Sequence, residues 1–315
     1  MKINKNKLMT NMFFVTGIAL ICTLLWGTAF PAIKIGYILF KIEVSDIASK
    51  LIFAGGRFLI AGLIVLFIGI FVDKKSLALR KKDIVPICVL SLFQTFFQYL
   101  LLYIGLVNVT GTKSSILTSV AAFGSVILSA ICFKDDRLNF KKIAGCIVGV
   151  IGIIVMNING DGLGGFTFIG DGLVIMSNLS GAVGNIISKK ISAGRSPVQI
   201  SGRQLSVGGF ALIITGLVCG GKLIFYDFNC LICLLYLAAM AGIAFMLWTM
   251  LLFFNSVSKI AVFNLLIPVF GTMWSGIFLN ENIFTVTNIT SLLLVCSGIF
   301  LVNFTIREKE KINSK

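Results

Sequence analysis

Polar side chains are scarce in this sequence, and those that fall inside apolar stretches are mostly amides, aromatics and arginines. Gln94 and Gln98 stand four residues apart, with Tyr99 and Tyr103 beside them. On a helix that spacing stacks both amides on one face. Asn178 and Asn185 form a similar pair, and Asn264 precedes Pro268. Amides are costly against lipid, so these faces should look into a cavity or at a partner helix. They could hold a small molecule by hydrogen bonds, or simply join helices. Trp26 and Trp248 each offer a flat apolar face with one donor, suited to stacking a substrate, although aromatics also fill cores.

Bond-making chemistry has less support. The chain contains no histidine, which removes the commonest general base and metal ligand and every Ser/His or Cys/His dyad. No Asp or Glu lies deep in an apolar run, so proton coupling through a buried acid is not expected; a boundary acid such as Asp171 is the alternative. The eight cysteines lie mostly in apolar runs, where they act as small hydrophobes. Cys230 and Cys233 have CxxC spacing, but no second pair completes a zinc site. The stretch "GDGLGG" at 160–165 matches GxGxxG without a strand before it and carries no nucleotide signal. We expect no enzyme, no cofactor and no metal.

The elements that must position these residues follow from composition. Hydrophobic residues make up 57% and charged residues 12%, with a mean hydropathy of +1.02, where soluble domains carry about a quarter charged residues. Apolar runs near the roughly 20 residues that cross a bilayer recur along nearly the whole length. We expect ten spans, at 12–34, 51–72, 84–106, 113–133, 142–158, 168–188, 204–224, 231–253, 259–279 and 285–304. The partners implied are the lipid bilayer and a small-molecule substrate. The net charge of +15 sits in short clusters between spans, where topology explains it and nucleic acid is not needed. The N-terminal run resembles a secretory signal but is too long and lacks a small-residue cleavage site, so we read it as a retained first helix.

Charge also suggests orientation. With ten spans and the N-terminus in the cytoplasm, 21 of the 27 Lys and Arg fall on the inner side and 6 outside, while the 12 acidic residues divide evenly. Only the basic residues show the bias, as the positive-inside rule requires. Both termini are then cytoplasmic, at the cell membrane, with a basic cytoplasmic tail at 305–315.

The chain repeats itself at a shift of 146 residues. That shift pairs Arg57 with Arg203, Lys113 with Lys259, Asp135 with Glu281, Gly62 with Gly208, Gly152 with Gly298 and Asn157 with Asn303. Units of five spans, 12–158 and 168–304, would enter the membrane from opposite sides, the inverted architecture many secondary transporters use.

Four stretches carry a resemblance: "LLWGTAFPAIKIG" in the first span, "GGRFLIAGLIVL" opening the second, "KSSILTSVAAFGSVILSAICFKDDRL" across the fourth and "KIAVFNLLIPVFGTMWSGIFLNENI" across the ninth. In their order and spacing the chain resembles the EamA-type exporters of the drug/metabolite transporter superfamily. The resemblance implies an all-α protein of ten helices in two inverted repeats around a central cavity. It also implies alternating access with efflux or exchange of small metabolites such as amino acids, their derivatives or drugs. Where the family has a Gly-Glu pair after the fourth span, this chain reads "KDDR", so no coupling role is carried over. A nucleotide-sugar or lipid-linked carrier is the alternative within the superfamily, disfavoured by the few cations at depth. A sensor or binding protein without translocation is the alternative outside it.

The candidate substrate residues are thus Trp26, Gln94, Gln98, Tyr99, Asn178, Asn185, Trp248 and Asn264. Pro31 should bend or break the first helix near its outer end, and Pro268 marks a similar point in the ninth. Arg57 and Arg203 open equivalent helices, as a carboxylate-binding or gating pair or, more simply, as headgroup anchors. Gly145 and Gly149 form GxxxG with Gly152 one turn on, a close-packing face within the protomer or between the protomers of a homodimer.

Overall fold

The computed structural model describes residues 5–72, 80–109, 117–118, 120–156, 166–192, 195–279 and 286–313, all of it helix, turn or loop. Lys113, the glycine-rich 160–165 stretch and Glu281 lie outside the described residues. The helices are α1 (Lys5–Thr10), α2 (Met12–Leu39), α3 (Ile47–Val72), α4 (Lys81–Ser91), α5 (Gln98–Gly105), α6 (Val120–Cys132) and α7 (Phe140–Met156). They continue as α8 (Leu173–Ile191), α9 (Pro197–Val218), α10 (Phe228–Phe254), α11 (Val257–Ala261), α12 (Leu266–Leu279) and α13 (Val286–Asn313).

Among the described residues, five helical stretches are long and apolar enough to cross a membrane: Met12–Leu39, Ile47–Phe71, Lys81–Gly105, Pro197–Val218 and Phe228–Phe254. Shorter apolar helices occupy Val120–Cys132, Val257–Gly271 and Ile289–Val302. Large apolar side chains such as Phe67, Phe71, Ile131, Phe210 and Phe300 are exposed on the outside, as a lipid-facing surface requires.

Local chemistry sets the helix ends. The Asn11 side chain caps α2 by accepting from the Phe13 and Phe14 amides, and Asp227 caps α10 by accepting from the Cys230 amide. The seventh span, expected at 204–224, is observed at Pro197–Val218. Proline in the first turn starts it, and Gly220, at φ +82°, ends it. Arg203 therefore sits in the second turn of α9 and does not open it.

Pro31 does not break its helix: α2 runs unbroken through it. Proline removes the donor for the Gly27 carbonyl, but this part of α2 is held by packing, Gly27 lying directly on Phe270 and Gly271. The interruptions fall elsewhere. A π-helical turn at Leu92–Phe97 separates α4 from α5, another at Phe168–Gly172 leads into α8, and a 3-10 turn at Val262–Leu265 joins α11 to α12 just before Pro268.

Two antiparallel pairs, α3 with α9 and α7 with α13, form the most extensive contacts. A Cβ on Gly62 would lie 2.5 Å from the Gly202 carbonyl oxygen, and one on Gly209 would lie 2.5 Å from the Leu59 nitrogen. Gly145 and Gly298 meet in the same way, as do Gly152 and Ser291. The fifth-span glycines thus pack within the protomer, where a missing side chain lets backbones touch.

The chain's ends share one end of the molecule. The Asn255 side chain, just past α10, donates to the Met9 carbonyl at 3.0 Å. Lys142, at the start of α7, reaches Ser258 at 3.3 Å, and Gly145 lies against Val302 in the C-terminal half of α13.

Candidate functional site

The site grows from one face of α8. Ser177, Ser180, Gly181, Gly184 and Asn185 recur at helical spacing, a stripe of small and polar groups that lets the neighbouring passage approach. The π turn of that passage lies against it. Ser180 Oγ donates to the Phe93 carbonyl at 2.7 Å and Ser177 Oγ to the Gln98 carbonyl at 2.6 Å. A π turn breaks the regular i to i−4 ladder, and the two serines give these carbonyls partners within the protein.

Asn185 is the hub. Its Oδ1 accepts from Gln94 Nε2 and from Trp248 Nε1, each at 3.3 Å, and its Nδ2 donates to Ser125 Oγ at 3.2 Å. One buried amide therefore joins α6, α8, α10 and the π turn. Gln94 Oε1 is buried and has no hydrogen-bond partner. Gln98 lies over Gly181. Both glutamines thus face α8, as their spacing suggested, and Gln94 is engaged in bonding between helices.

Above the hub is an aromatic stack. The Trp26 and Trp248 rings meet edge to face at 5.0 Å, and Trp26 meets Phe245 at 5.4 Å. Phe58 lies 6.2 Å from Phe245 and 4.4 Å from Tyr99, which is followed by Tyr103 at 6.4 Å. Trp26 borders three separate hydrophobic clusters, and its Nε1 is buried without an acceptor.

Arg57 enters this stack. It is 3% exposed, which rules out the headgroup anchor expected as its simplest role. Its guanidinium carbon lies 4.4 Å from the Phe58 ring and 5.5 Å from the Tyr99 ring, and its Nε has no partner. Arg203 lies apart from it, at the end carrying the termini, within electrostatic reach of Asp83 and Arg80. The glycines explain why the two arginines separate. Gly55, Gly62 and Gly69 have counterparts at Gly202, Gly209 and Gly216, 147 positions on, one more than the gapless shift. That register sets Arg57 opposite Gln204, whose Oε1 accepts from Thr95 Oγ1 at 2.6 Å.

Asn178 is buried, but its Nδ2 donates to the Val174 carbonyl of its own helix at 2.8 Å, which takes it out of the shared network. Asn264 sits half-buried in the 3-10 turn. The structure brings Trp26, Gln94, Gln98, Tyr99, Asn185 and Trp248 together. It adds Arg57, one of the two arginines named as a carboxylate-binding or gating pair, and also Ser125, Phe245 and the α8 serines, which carry no signal one residue at a time. The period of "SNLSGAVGN" at 177–185 was the available signal.

The two ends of this column differ. At the end opposite the termini a cavity of about 560 Å³ opens, lined by Lys34, Tyr37, Lys41, Glu43, Lys50 and Tyr103 among others. At the terminal end ionic contacts join the helices. Lys142 Nζ bonds Asp136, which also accepts from Ser129 and from the Ser258 amide, and Arg195 bonds Asp83 at 2.8 Å. Lys189 donates to the Phe253 carbonyl at 2.9 Å.

The sequence pattern of the EamA-like transporter family matches this chain twice, over residues 14–158 and 168–304. The chain belongs to that family. It is 24% identical over 296 residues to the "Uncharacterized transporter YoaV" of Bacillus subtilis (strain 168), covering 91% of this chain and 96% of that protein. It is also 24% identical to a "Probable amino-acid metabolite efflux pump" of Escherichia coli (strain K12), over 94% and 96% of the two chains. A solved crystal structure superposes with a TM-score of 0.76 at 17% identity, over 94% of this chain and 98% of that one, a likeness of fold. The EamA chain is thus a multi-pass membrane protein whose relatives are named as transporters.

Proposed function

We propose that this EamA protein is a secondary transporter that exports or exchanges a small metabolite by alternating access, through a central site around Asn185, Trp26 and Trp248. One observation carries the reading. The contacts exchange when α2, α3, α4 with α5, α6 and α7 are swapped with α8, α9, α10, α11 with α12, and α13. The contact of α2 with α12 becomes that of α8 with α6, α2 with α10 becomes α8 with α5, and α3 with α10 becomes α9 with α4. Such an exchange supports two inverted five-helix repeats spanning the membrane ten times. Two halves of this kind can rock about a shared site and expose it to either side.

The cavity at one end and ionic contacts at the other support a state open away from the termini. The basic-residue bias supports both termini in the cytoplasm of a cell-membrane protein. The efflux pumps among the relatives support amino acids or their derivatives as the first compounds to try.

The test is counterflow in proteoliposomes preloaded with a pool of amino acids, amino-acid derivatives and related metabolites, with no imposed ion gradient. A carrier accumulates the labelled form of its own substrate. Uptake no faster than in empty liposomes for every compound, by folded and inserted protein, would count against translocation.

A further inference from the structure

Arg57 is a cation in a place where cations are expensive. A guanidinium stays protonated inside proteins, and burying it without an anion costs free energy that a structural role would not justify. None of the ion pairs among the described residues includes Arg57. Its guanidinium lies over two ring faces, and its Nε donor is unmet. The other repeat argues the same way: at the position matched by the glycine series, the chain carries Gln204, bonded to Thr95. Packing of the α3–α9 pair therefore does not require an arginine.

A second observation lies above it. Arg57 is close enough to Tyr37 and Tyr99 to act on both electrostatically, and Tyr37 with Tyr103 lines the cavity at the end opposite the termini. Among the described residues that line it, that cavity presents Lys34, Lys41 and Lys50 against the carboxylate of Glu43, with Asp46 within electrostatic reach of Lys50. Lysines at the mouth and an arginine beneath form a path whose field draws an anion inward.

We infer that Arg57 is the anion-binding residue of the transport site, and that the substrate is a small organic carboxylate with an apolar or aromatic body. The planar fork of the guanidinium takes a carboxylate in two parallel hydrogen bonds. Phe58, Tyr99, Phe245 and Trp26 then provide the faces for the body. A phosphate monoester would bring about two negative charges to a site with one deep cation, so the carboxylate is the better match. This inference rests on the transport reading above for its site, and its test is separable from it.

The experiment measures equilibrium binding of N-acetylphenylalanine, its neutral amide and phenyl phosphate to the full-length protein in lipid nanodiscs. The wild type should bind the acid about tenfold or more tighter than the amide, and tighter than phenyl phosphate. Arg57→Gln should erase the preference for acid over amide while its melting midpoint stays level or rises, because a buried unpaired charge is gone. Arg57→Lys, which keeps the charge and loses the fork, should fall between. Equal binding of acid and amide, no binding of the acid, or an unchanged preference in Arg57→Gln would overturn the inference. So would a lower midpoint with acid and amide weakened alike, the mark of a structural arginine, and tighter binding of phenyl phosphate would overturn the carboxylate. Counterflow separates the two readings. A neutral metabolite carried equally by wild type and Arg57→Gln would leave transport standing without the anion site. Arg57-dependent acid binding without counterflow of any solute would do the reverse.

Discussion

The two ends of the column handle charge in opposite ways. At the end carrying the termini, Asp136 is met by Lys142, Ser129 and Ser258, and Asp83 by Arg80 and Arg195. Toward the other end, Arg57 lies among aromatic rings below a cavity rich in lysine. Paired charges hold helices together, since separating them strands each in a medium that solvates it poorly. A cation left among rings gains little for the fold and is available to something that enters. One sequence thus pairs its buried charges at one end and leaves a cation among rings in the middle.

The largest effect should come from breaking the paired charges. Lys142→Ala leaves Asp136 buried without its cation, and the unfolding free energy should fall by about 3–5 kcal/mol, read as a lowered melting midpoint in detergent. The double variant Asp136→Leu with Lys142→Met removes both charges and should recover most of that loss; no recovery would mean the pair is not what joins α7 to α11. The pH dependence sharpens the point. Burial pushes the Asp136 carboxyl up, but its bonds to Lys142, Ser129 and Ser258 outweigh this and hold it below the usual carboxylate range. A depressed folded value means that the pair's contribution is complete above the unfolded value of about 3.9 and is lost as pH falls through the folded one. Wild-type melting should therefore show no loss from this pair at neutral pH, and a loss only in strong acid.

Next in size is the hub. Asn185→Leu strands Gln94 Nε2, Trp248 Nε1 and Ser125 Oγ, at about 1–3 kcal/mol for each orphaned group. Counterflow should fall steeply, and a variant that transports normally would remove this amide from the site. The smallest effect is expected at Arg195→Gln. Arg195 is partly exposed and Asp83 keeps Arg80, so solvent can replace much of the interaction. Its midpoint should move far less than that of Lys142→Ala, and a comparable drop would erase the ranking between these contacts.

Much of the fold could be read from the residues. Apolar run length marked the long helices, and the 146-residue repeat marked the two halves, because bilayer thickness and backbone hydrogen bonding leave a span few options. Boundaries were less legible. The apolar run puts the seventh span at 204–224, whereas the turn at Ser196-Pro197 and the stop at Gly220 set it at Pro197–Val218. Pro31 was expected to disturb α2, and tertiary packing on Phe270 prevailed.

For the site, spacing correctly put Gln94 and Gln98 toward one neighbour, since that depends only on local helix geometry. It could not say that the neighbour was α8, nor that Asn178 would turn to its own backbone while Asn185 collected three partners. It also left the arginines as an equivalent pair. By itself the sequence determined a membrane protein of apolar helices in two related halves, because composition and periodicity respond to solvent and backbone alone. Only the tertiary structure decided that Arg57 is buried among rings while Arg203 lies beside Asp83. A residue's depth and company depend on which helix crosses which, and a one-residue change of register is enough to exchange them.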